Sequence, residues 1–171
     1  MDNNTLKVIL SRRSIRRYTD RPVEDTSIEL LLRAGMSAPS AHNQQPREFI
    51  VVDDRKTLDA IPLFHPYSRM LLKAPAAIVV CGVTGDIPAP QFWPQDCAAA
   101  TENILLAAHA LGIGSVWLGV FPHEELVSRL SELLAVPACI TPFSIISLGY
   151  PDEEKGPSER YDAARVHRNR W

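Results

Sequence analysis

A polar loop joins two apolar segments in the stretch that decides the fold, residues 38–52, which reads APSAHNQQPREFIVV. Helical spacing of apolar residues ends just before this stretch, because the residue preceding Pro39 avoids helical backbone angles. The last four residues, Phe49-Ile50-Val51-Val52, are aromatic or β-branched and predict a buried strand. Residues 39–46 are therefore predicted to form a loop held between a helix and a core strand.

Outward from this loop, helices and strands are predicted to mix without a regular βαβ rhythm. Apolar residues follow helical spacing near the start of the chain and over residues 26–36, 97–111 and 123–135. Continuous apolar runs predict further strands at residues 76–83, 115–120 and 140–148. There is no internal repeat, low-complexity tract or break in composition. We therefore expect a single α+β domain over residues 1–171, with a sheet surrounded by helices.

Composition and charge exclude several classes of protein. The 171 residues carry Lys+Arg 18 against Asp+Glu 20, a formal net charge of -2. Duplex DNA and anionic membranes select strongly basic faces, so we expect no nucleic-acid partner and no membrane partner. No segment reaches the ~18 apolar residues of a membrane span, and the first residues do not form a signal peptide. Cys81, Cys97 and Cys139 lie in apolar stretches, which predicts buried free thiols and a cytoplasmic protein.

The common catalytic motifs are absent from the sequence. It contains no Cys-x-x-Cys or His-x-x-x-His pair, no Gly-x-Ser-x-Gly elbow and no Gly-x-x-x-x-Gly-Lys-Ser/Thr loop. Gly112-Ile113-Gly114 follows a predicted helix and lacks the third glycine of a dinucleotide fingerprint, so it is interpreted as a helix cap and turn. We therefore expect no metal site and no catalytic protein nucleophile.

Arginine is concentrated in two short stretches, residues 12–17 and residues 160–170. Guanidinium is suited to bidentate recognition of phosphate. In an extended chain alternate side chains share a face, so Arg12, Ser14 and Arg16 would point the same way and could hold a single phosphate. The alternative is a solvated basic surface.

Two other segments have the character of ligand contacts. The amide side chains of residues 39–46 can donate to and accept from a polyol or a heteroaromatic ring edge, although an ordinary polar turn explains them equally well. The predicted strand Val116-Trp117-Leu118-Gly119 ends in glycine, which lets backbone amides approach a ring closely. The alternative for Trp117 is an ordinary core position.

These three segments, in this order, resemble the nitroreductase family of FMN-dependent oxidoreductases. The resemblance rests on Arg12-Arg13-Ser14-Ile15-Arg16, on residues 38–46 leading into residues 49–52, and on residues 112–119. It implies a nitroreductase-like α+β fold, with a central, mostly antiparallel sheet flanked by helices. It also implies an intertwined homodimer that binds FMN at the subunit interface, with residues 152–171 forming a C-terminal extension that embraces the partner subunit.

The resemblance also implies which residues bind the cofactor. It gives the phosphate and ribityl end to Arg12, Arg13, Ser14 and Arg16. A basic residue near the C-terminus would complete the phosphate site, and we choose Arg168 over the alternatives His167 and Arg165. It places the partner subunit's loop on the other side of the flavin, through Pro39, Ser40, Ala41, Asn43 and Gln45. The backbone of Trp117, Leu118 and Gly119 would face the isoalloxazine ring. Residues 62–73 match no motif of the family.

The implied activity is transfer of hydride from NAD(P)H to nitroaromatic, quinone-like or related acceptors by a ping-pong mechanism. No catalytic side chain is expected, because the flavin carries the chemistry while the protein supplies position, electrostatics and exclusion of water. The alternative is a non-enzymatic dimer that binds or stores flavin.

Overall fold

Four strands form one antiparallel sheet in the computed structural model, which describes residues 4–156 and 158–171. They are β1 (Arg47–Val52), β2 (Ala76–Val83), β3 (Gly114–Gly119) and β4 (Ile140–Gly149). Their order across the sheet is β1-β2-β4-β3, and every neighbouring pair is antiparallel. β1 and β3 are therefore the two edge strands. The predicted α+β fold with a mostly antiparallel sheet is confirmed.

Helices cover both faces of this sheet. Within the described residues they are α1 (Asn4–Ser11), α2 (Asp25–Met36), α3 (Arg55–Ala60), α4 (Trp93–Ala110) and α5 (Glu124–Leu134). α4 ends at its C-cap, Leu111, and Gly112 follows with φ +73°, so the predicted glycine cap is confirmed. None of the described helices is long and apolar enough to cross a membrane.

The core has two halves, one on each face of the sheet. Successive residues of β2 alternate between them, because side chains along a strand point to opposite faces. Val79 packs with Leu71 and Leu130 on one face, while Ile78 packs with Leu31 and Ile104 on the other. Both faces of β2 are covered, which explains why its sequence is a continuous apolar run.

Two of the three cysteines are buried in this core. Burial raises the pKa of Cys81 and of Cys97 to about 12, so neither thiol is a nucleophile at neutral pH. Cys139, by contrast, is exposed. Its predicted burial is wrong, because the apolar stretch around it belongs to a turn between α5 and β4 rather than to the strand itself.

Gly82 lets the start of α4 lie directly on the sheet. A Cβ at Gly82 would lie 2.1 Å from Cε3 of Trp93, and the Trp93 ring is itself fixed by edge contacts with Phe121 and Phe143. The ring cannot move away without disturbing this aromatic cluster.

We expect Gly82→Ala to destabilise the fold by about 1–3 kcal/mol, the usual cost of overpacking a core. Thermal unfolding should show a melting temperature lower by roughly 2–12 °C for a chain of this size. Gly85→Ala is the matched control, since a Cβ there meets only Cys139 Cβ at 3.7 Å. Equal melting temperatures for the two variants would contradict the packing argument.

Candidate functional site

The arginine-rich residues 12–17, which we call the basic run, follow α1 and are fixed beside the edge strand β3. Ser14 forms a parallel bridge with Ser115, and the Ile15 N–H donates to the Ser115 carbonyl at 2.9 Å. The Ile15 side chain is buried against Gly114, where a Cβ would come within 2.7 Å of it. This anchor sets the position of the arginines on either side of Ile15.

The outer edge of β3 presents backbone groups away from the sheet. The Val120 N–H donates to the Phe143 carbonyl, so even-numbered residues here direct their polar groups toward β4. Odd-numbered residues must point outward, and two bonds agree: the Ser115 carbonyl accepts from Ile15, and the Gly119 carbonyl from His65. The amide N–H groups of Trp117 and Gly119 therefore face outward, whereas the main chain of Leu118 faces β4.

A cavity of about 460 Å³ lies against this edge, and we call it the β3-edge cavity. Besides residues 117–119 it is lined by Arg16, His65, Pro66, Tyr67, Arg69 and Met70. Neither the Arg16 nor the Arg69 guanidinium has a hydrogen-bond or ion-pair partner within residues 4–156 and 158–171. The cavity thus combines outward backbone donors with two uncompensated positive charges.

His65 holds the end of the edge strand. It is only 2% exposed, and its Nε2 lies 2.9 Å from the Gly119 carbonyl. The Tyr67 N–H donates to Nδ1, so Nε2 carries the proton and donates to that carbonyl. Sequence reasoning missed both His65 and Arg69, which come from residues 62–73, the segment without a family motif.

Arg13 is separated from the other arginines of the basic run. Its side chain donates to the Gly156 carbonyl at 2.8 Å and to Ser158 Oγ at 2.7 Å. Arg13 and Ile15 line a different cavity, of about 750 Å³, as expected when alternate residues point to opposite sides. Within one chain Arg13 therefore anchors the C-terminal segment. Its buried Nη2 has no partner among the described residues, and its place at the phosphate stays a prediction.

The other predicted phosphate residues do not line the cavity of about 750 Å³ that Arg13 lines. Arg12 lies 3.6 Å from Glu102 of α4, Ser14 is half-buried, and Arg16 is exposed. Arg168 lies in the exposed C-terminal segment, and no contact within the described residues brings it to Arg12 or Ser14. Arg12, Ser14 and Arg16 occupy alternate positions of one segment, but only Arg16 lines the β3-edge cavity, and Arg168 lies outside it.

The loop of residues 39–46 has an unusual backbone conformation held by a buried carboxylate. His42, Asn43 and Gln45 all have φ near +50°, a region that non-glycine residues rarely occupy. Asp96 of α4, only 5% exposed, accepts from the Ala41 N–H and from the Gln44 side chain, both at 2.9 Å. These bonds offset the strain of the loop.

Further hydrogen bonds complete the support of this loop. Ser40 Oγ accepts from the Gln45 N–H at 2.9 Å, and the Gln45 side chain donates to Asn43 Oδ1 at 3.0 Å. The guanidinium of buried Arg47 donates to the Met36 carbonyl at 2.8 Å and also to the carbonyl of Ala38. Ser40, Asn43 and Gln45, all predicted site residues, therefore form one small preorganised unit that begins at Pro39.

The two halves of the predicted site lie at opposite edges of the sheet. The loop leads into β1, whereas the β3-edge cavity lies beside β3, and the edge strands are separated by three strand spacings, about 14 Å. The β3-edge cavity contains no residue of the 39–46 loop. A single chain therefore does not bring the loop and the basic run together.

A Ser–His pair lies elsewhere, at the contact of α1 with α4. Ser11 Oγ is 2.7 Å from His109 Nε2, and the same hydroxyl lies 2.6 Å from the Lys7 carbonyl. Burial, followed by the charge of Arg12, lowers the pKa of His109 and favours the neutral ring. The Ser11 hydroxyl donates its proton to the Lys7 carbonyl at the end of α1, so we interpret the Ser–His pair as a packing contact.

Comparison with known proteins identifies the family. The model of the Nitroreductase family matches residues 9–70 and 64–150. The chain belongs to this family. A protein of Archaeoglobus fulgidus provisionally named NADH dehydrogenase/NAD(P)H nitroreductase is 52% identical over 170 residues, which is 97% of this chain and 98% of the relative.

Solved structures of the family have the same fold. A protein of Parabacteroides distasonis with the same provisional name superposes with a TM-score of 0.94 at 43% identity, over 99% of this chain and 100% of that one. A provisionally named nitroreductase of Desulfovibrio desulfuricans, solved in complex with FMN, has a TM-score of 0.86 at 34% identity, over 100% and 99% of the two chains. The nitroreductase-like fold is thereby confirmed.

We expect Asp96→Ala to loosen the 39–46 loop, because it removes the acceptor of two buried hydrogen bonds. Bonds to a charged acceptor contribute about 1.5–3 kcal/mol each, so the melting temperature should fall and amide exchange in residues 41–45 should accelerate at least tenfold. Asp86→Ala, which changes an exposed aspartate in a neighbouring loop, is the control. Unchanged exchange in the Asp96 variant would show that the carboxylate does not hold the loop.

Proposed function

We propose that this protein is an FMN-dependent oxidoreductase that takes hydride from NAD(P)H and reduces nitroaromatic, quinone-like or related acceptors. The observation that carries the proposal is the β3-edge cavity, where outward amides of Trp117 and Gly119 meet two unpaired guanidinium groups. Family membership adds independent support. When bound, FMN would accept hydride from the reductant and pass it to the acceptor.

The residues present fit a flavin mononucleotide. Its ring carries hydrogen-bonding atoms along one edge, which the outward amides of β3 can meet. A Cβ built at Gly119 meets nothing within 4 Å, so the space beside this residue is open to a ring. The cavity volume of about 460 Å³ lies in the usual range of roughly 300–1,000 Å³ for small-molecule sites.

Each residue of the site then has a definite task. Arg12, Ser14 and Arg16 would hold the phosphate and ribityl end, and Arg16 would also lie near the polar edge of the ring. Arg16 and Arg69 would stabilise negative charge that develops on the reduced ring, by the same electrostatic logic as an oxyanion hole. His65 forms a hydrogen bond with the Gly119 carbonyl and so keeps the end of β3 in place.

A homodimer would complete the site. The 39–46 loop is preorganised but lies at the opposite edge of its own sheet, so we propose that it lines the flavin of the partner subunit. Arg13 holds the C-terminal segment as far as Ser158. The residues beyond it are all exposed, including Tyr161 and, at 100% exposure, Trp171. We propose that residues 152–171 pack on the partner subunit and bring Arg168 to its phosphate site.

The acceptor class follows from the walls of the cavity. Pro66 and Tyr67, the latter 78% exposed, offer a flat apolar rim suited to planar aromatic molecules. Reductant and acceptor would reach the same open face in turn, which is the physical basis of a ping-pong mechanism.

A visible absorption spectrum before and after anaerobic addition of NADH or NADPH tests the function. A flavin spectrum that bleaches rapidly and recovers on addition of a quinone or nitroaromatic supports the oxidoreductase. Bound flavin that NAD(P)H does not bleach favours the alternative, a non-enzymatic flavin-binding or flavin-storage dimer. A colourless protein that takes up no added FMN excludes both.

We expect Arg12→Ala combined with Arg16→Ala to weaken FMN binding by at least about 100-fold, because charge-assisted hydrogen bonds to phosphate contribute about 1.5–3 kcal/mol each. Fluorescence titration with FMN measures the affinity, and circular dichroism verifies the fold. Arg33→Ala with Lys56→Ala removes two exposed positive charges away from the cavity as a control. Equal affinities for the two double variants would refute the phosphate assignment.

Complementation between subunits tests the shared site. A chain carrying Arg12→Ala and Arg16→Ala should bind little FMN, and so should a chain carrying Ser40→Ala and Asn43→Ala. When the two are co-expressed, half of the dimers are mixed and each has one intact site, so about one quarter of all sites should recover FMN. Recovery in the mixture, absent from either variant alone, is the expected result. No recovery would place the whole site within one chain.

A further inference from the structure

A second groove adjoins the β3-edge cavity and contains more uncompensated positive charge. It encloses about 780 Å³ and shares Arg16, Arg69 and Met70 with the cavity, so the two lie side by side. Its other walls include Arg17, Thr19 and Lys73. We call it the cationic groove.

The charges of the groove do not neutralise one another. Four cationic side chains face two carboxylates, those of Asp20 and Asp152. Arg16, Arg69 and Lys73 make no ion pair or side-chain hydrogen bond within the described residues. Arg17 has only a distant contact, 4.0 Å between its Nε and Glu153 Oε2. Such a concentration of unpaired cations in a concave surface attracts anions.

The backbone that carries these cations is fixed. Arg69 belongs to a short 3₁₀ helix, Arg69–Leu72, that precedes Lys73. Arg55 of α3 donates to the Ala74 carbonyl at 2.9 Å and also to the Leu71 carbonyl, and the Leu71 side chain is fully buried. On the opposite wall the Thr19 N–H donates to the Tyr150 carbonyl at 2.9 Å. The groove is therefore preformed, and a ligand gains affinity when its site needs little ordering.

We propose that the cationic groove binds the diphosphate group of the nicotinamide dinucleotide, an inference that rests on the proposed function. In a dinucleotide the diphosphate is joined to the nicotinamide through one ribose. A nicotinamide ring that reaches the open face of the flavin in the β3-edge cavity would therefore place its diphosphate in an adjoining space, and the groove is an adjoining space of opposite charge. An uncharged aromatic acceptor gains nothing from these cations, so the groove distinguishes the reductant from the acceptor.

The test variant is Arg17→Gln combined with Lys73→Gln. In the groove it removes two positive charges that have no assigned part in holding FMN, and the hydrogen bonds of the Arg17 backbone are unaffected. We expect KM for both NADH and NADPH to rise about tenfold, with little change in kcat. KM for 1-benzyl-1,4-dihydronicotinamide, which has the same reactive ring and no phosphate, should not change. Arg33→Gln with Lys56→Gln is the control of equal charge change.

Three outcomes overturn the proposal. A loss of FMN affinity in the test variant would mean that the groove holds the phosphate of FMN instead. An equal rise in KM for the phosphate-free reductant would mean that the variant disturbs the ring site. Unchanged KM values for NADH and NADPH would mean that the groove binds no part of the dinucleotide.

Calorimetric titration with NAD+ and NADP+ separates this proposal from the proposed function, because it requires no turnover. Wild-type protein should bind both dinucleotides about tenfold more tightly than the test variant, and added salt should reduce the difference. A protein that binds FMN and is reduced by the phosphate-free compound, yet binds dinucleotides equally with and without the two cations, refutes the groove alone. A protein that takes up no FMN refutes the proposed function. If wild-type protein and the test variant then also bind dinucleotides equally, the proposed role of the cationic groove is refuted as well.

Discussion

The site depends on one constraint, that β3 pairs with a strand on one side only. Every buried or half-buried backbone polar group on its free edge must find another partner. The Ser115 carbonyl finds one in Ile15 and the Gly119 carbonyl in His65, so two separate segments cover the two ends of the edge. The gap between them exposes the amides of Trp117 and Gly119. A ligand with acceptors along one edge completes the pairing that a fifth strand would otherwise supply.

At the opposite edge of the sheet, beside β1, the feature that matters is a strained loop rather than an unpaired strand edge. There the backbone of the 39–46 loop occupies a strained region at three residues, at a cost of order 1–3 kcal/mol for each. Asp96 and Arg47, both buried, bind the loop and the end of α2 from beneath and leave its outer surface open. Strained backbone that is held in place by its surroundings is typical of binding sites, which indicates that this loop contacts a ligand. Since the loop's own β3-edge cavity lies across the sheet, the proposed homodimer would bring this shape to the cavity of a second subunit.

Much of this architecture could be predicted from residue patterns, because burial imposes periodicity. The run at 76–83 is apolar throughout since both faces of β2 are covered, and the observed bounds are the predicted ones. His65 and Arg69 could not be found in this way. Their segment lies between Pro62 and Pro75 without any helical or strand period, and its position depends on Arg55 reaching back to its carbonyls. Composition alone also cannot tell an arginine that anchors a backbone, as Arg13 does within one chain, from one that binds a phosphate.

What distinguishes the two kinds of arginine is the presence of an internal partner. Arg33 forms an ion pair with Glu29, Arg55 forms one with Asp59, and the Arg47 guanidinium donates hydrogen bonds to backbone carbonyls. A guanidinium with partners at 2.6–2.9 Å has little attraction left for an external anion, because its charge is already compensated at short range. Arg12 lies farther, 3.6 Å, from Glu102 and donates no side-chain hydrogen bond within the described residues. Arg16 and Arg69 have no such partner within the described residues, and both line the same cavity. By this criterion Arg165, paired with Asp162, is the weaker candidate of the C-terminal segment, and Arg168 is the stronger one. The net charge of -2 hides this division, since it counts paired and unpaired cations alike.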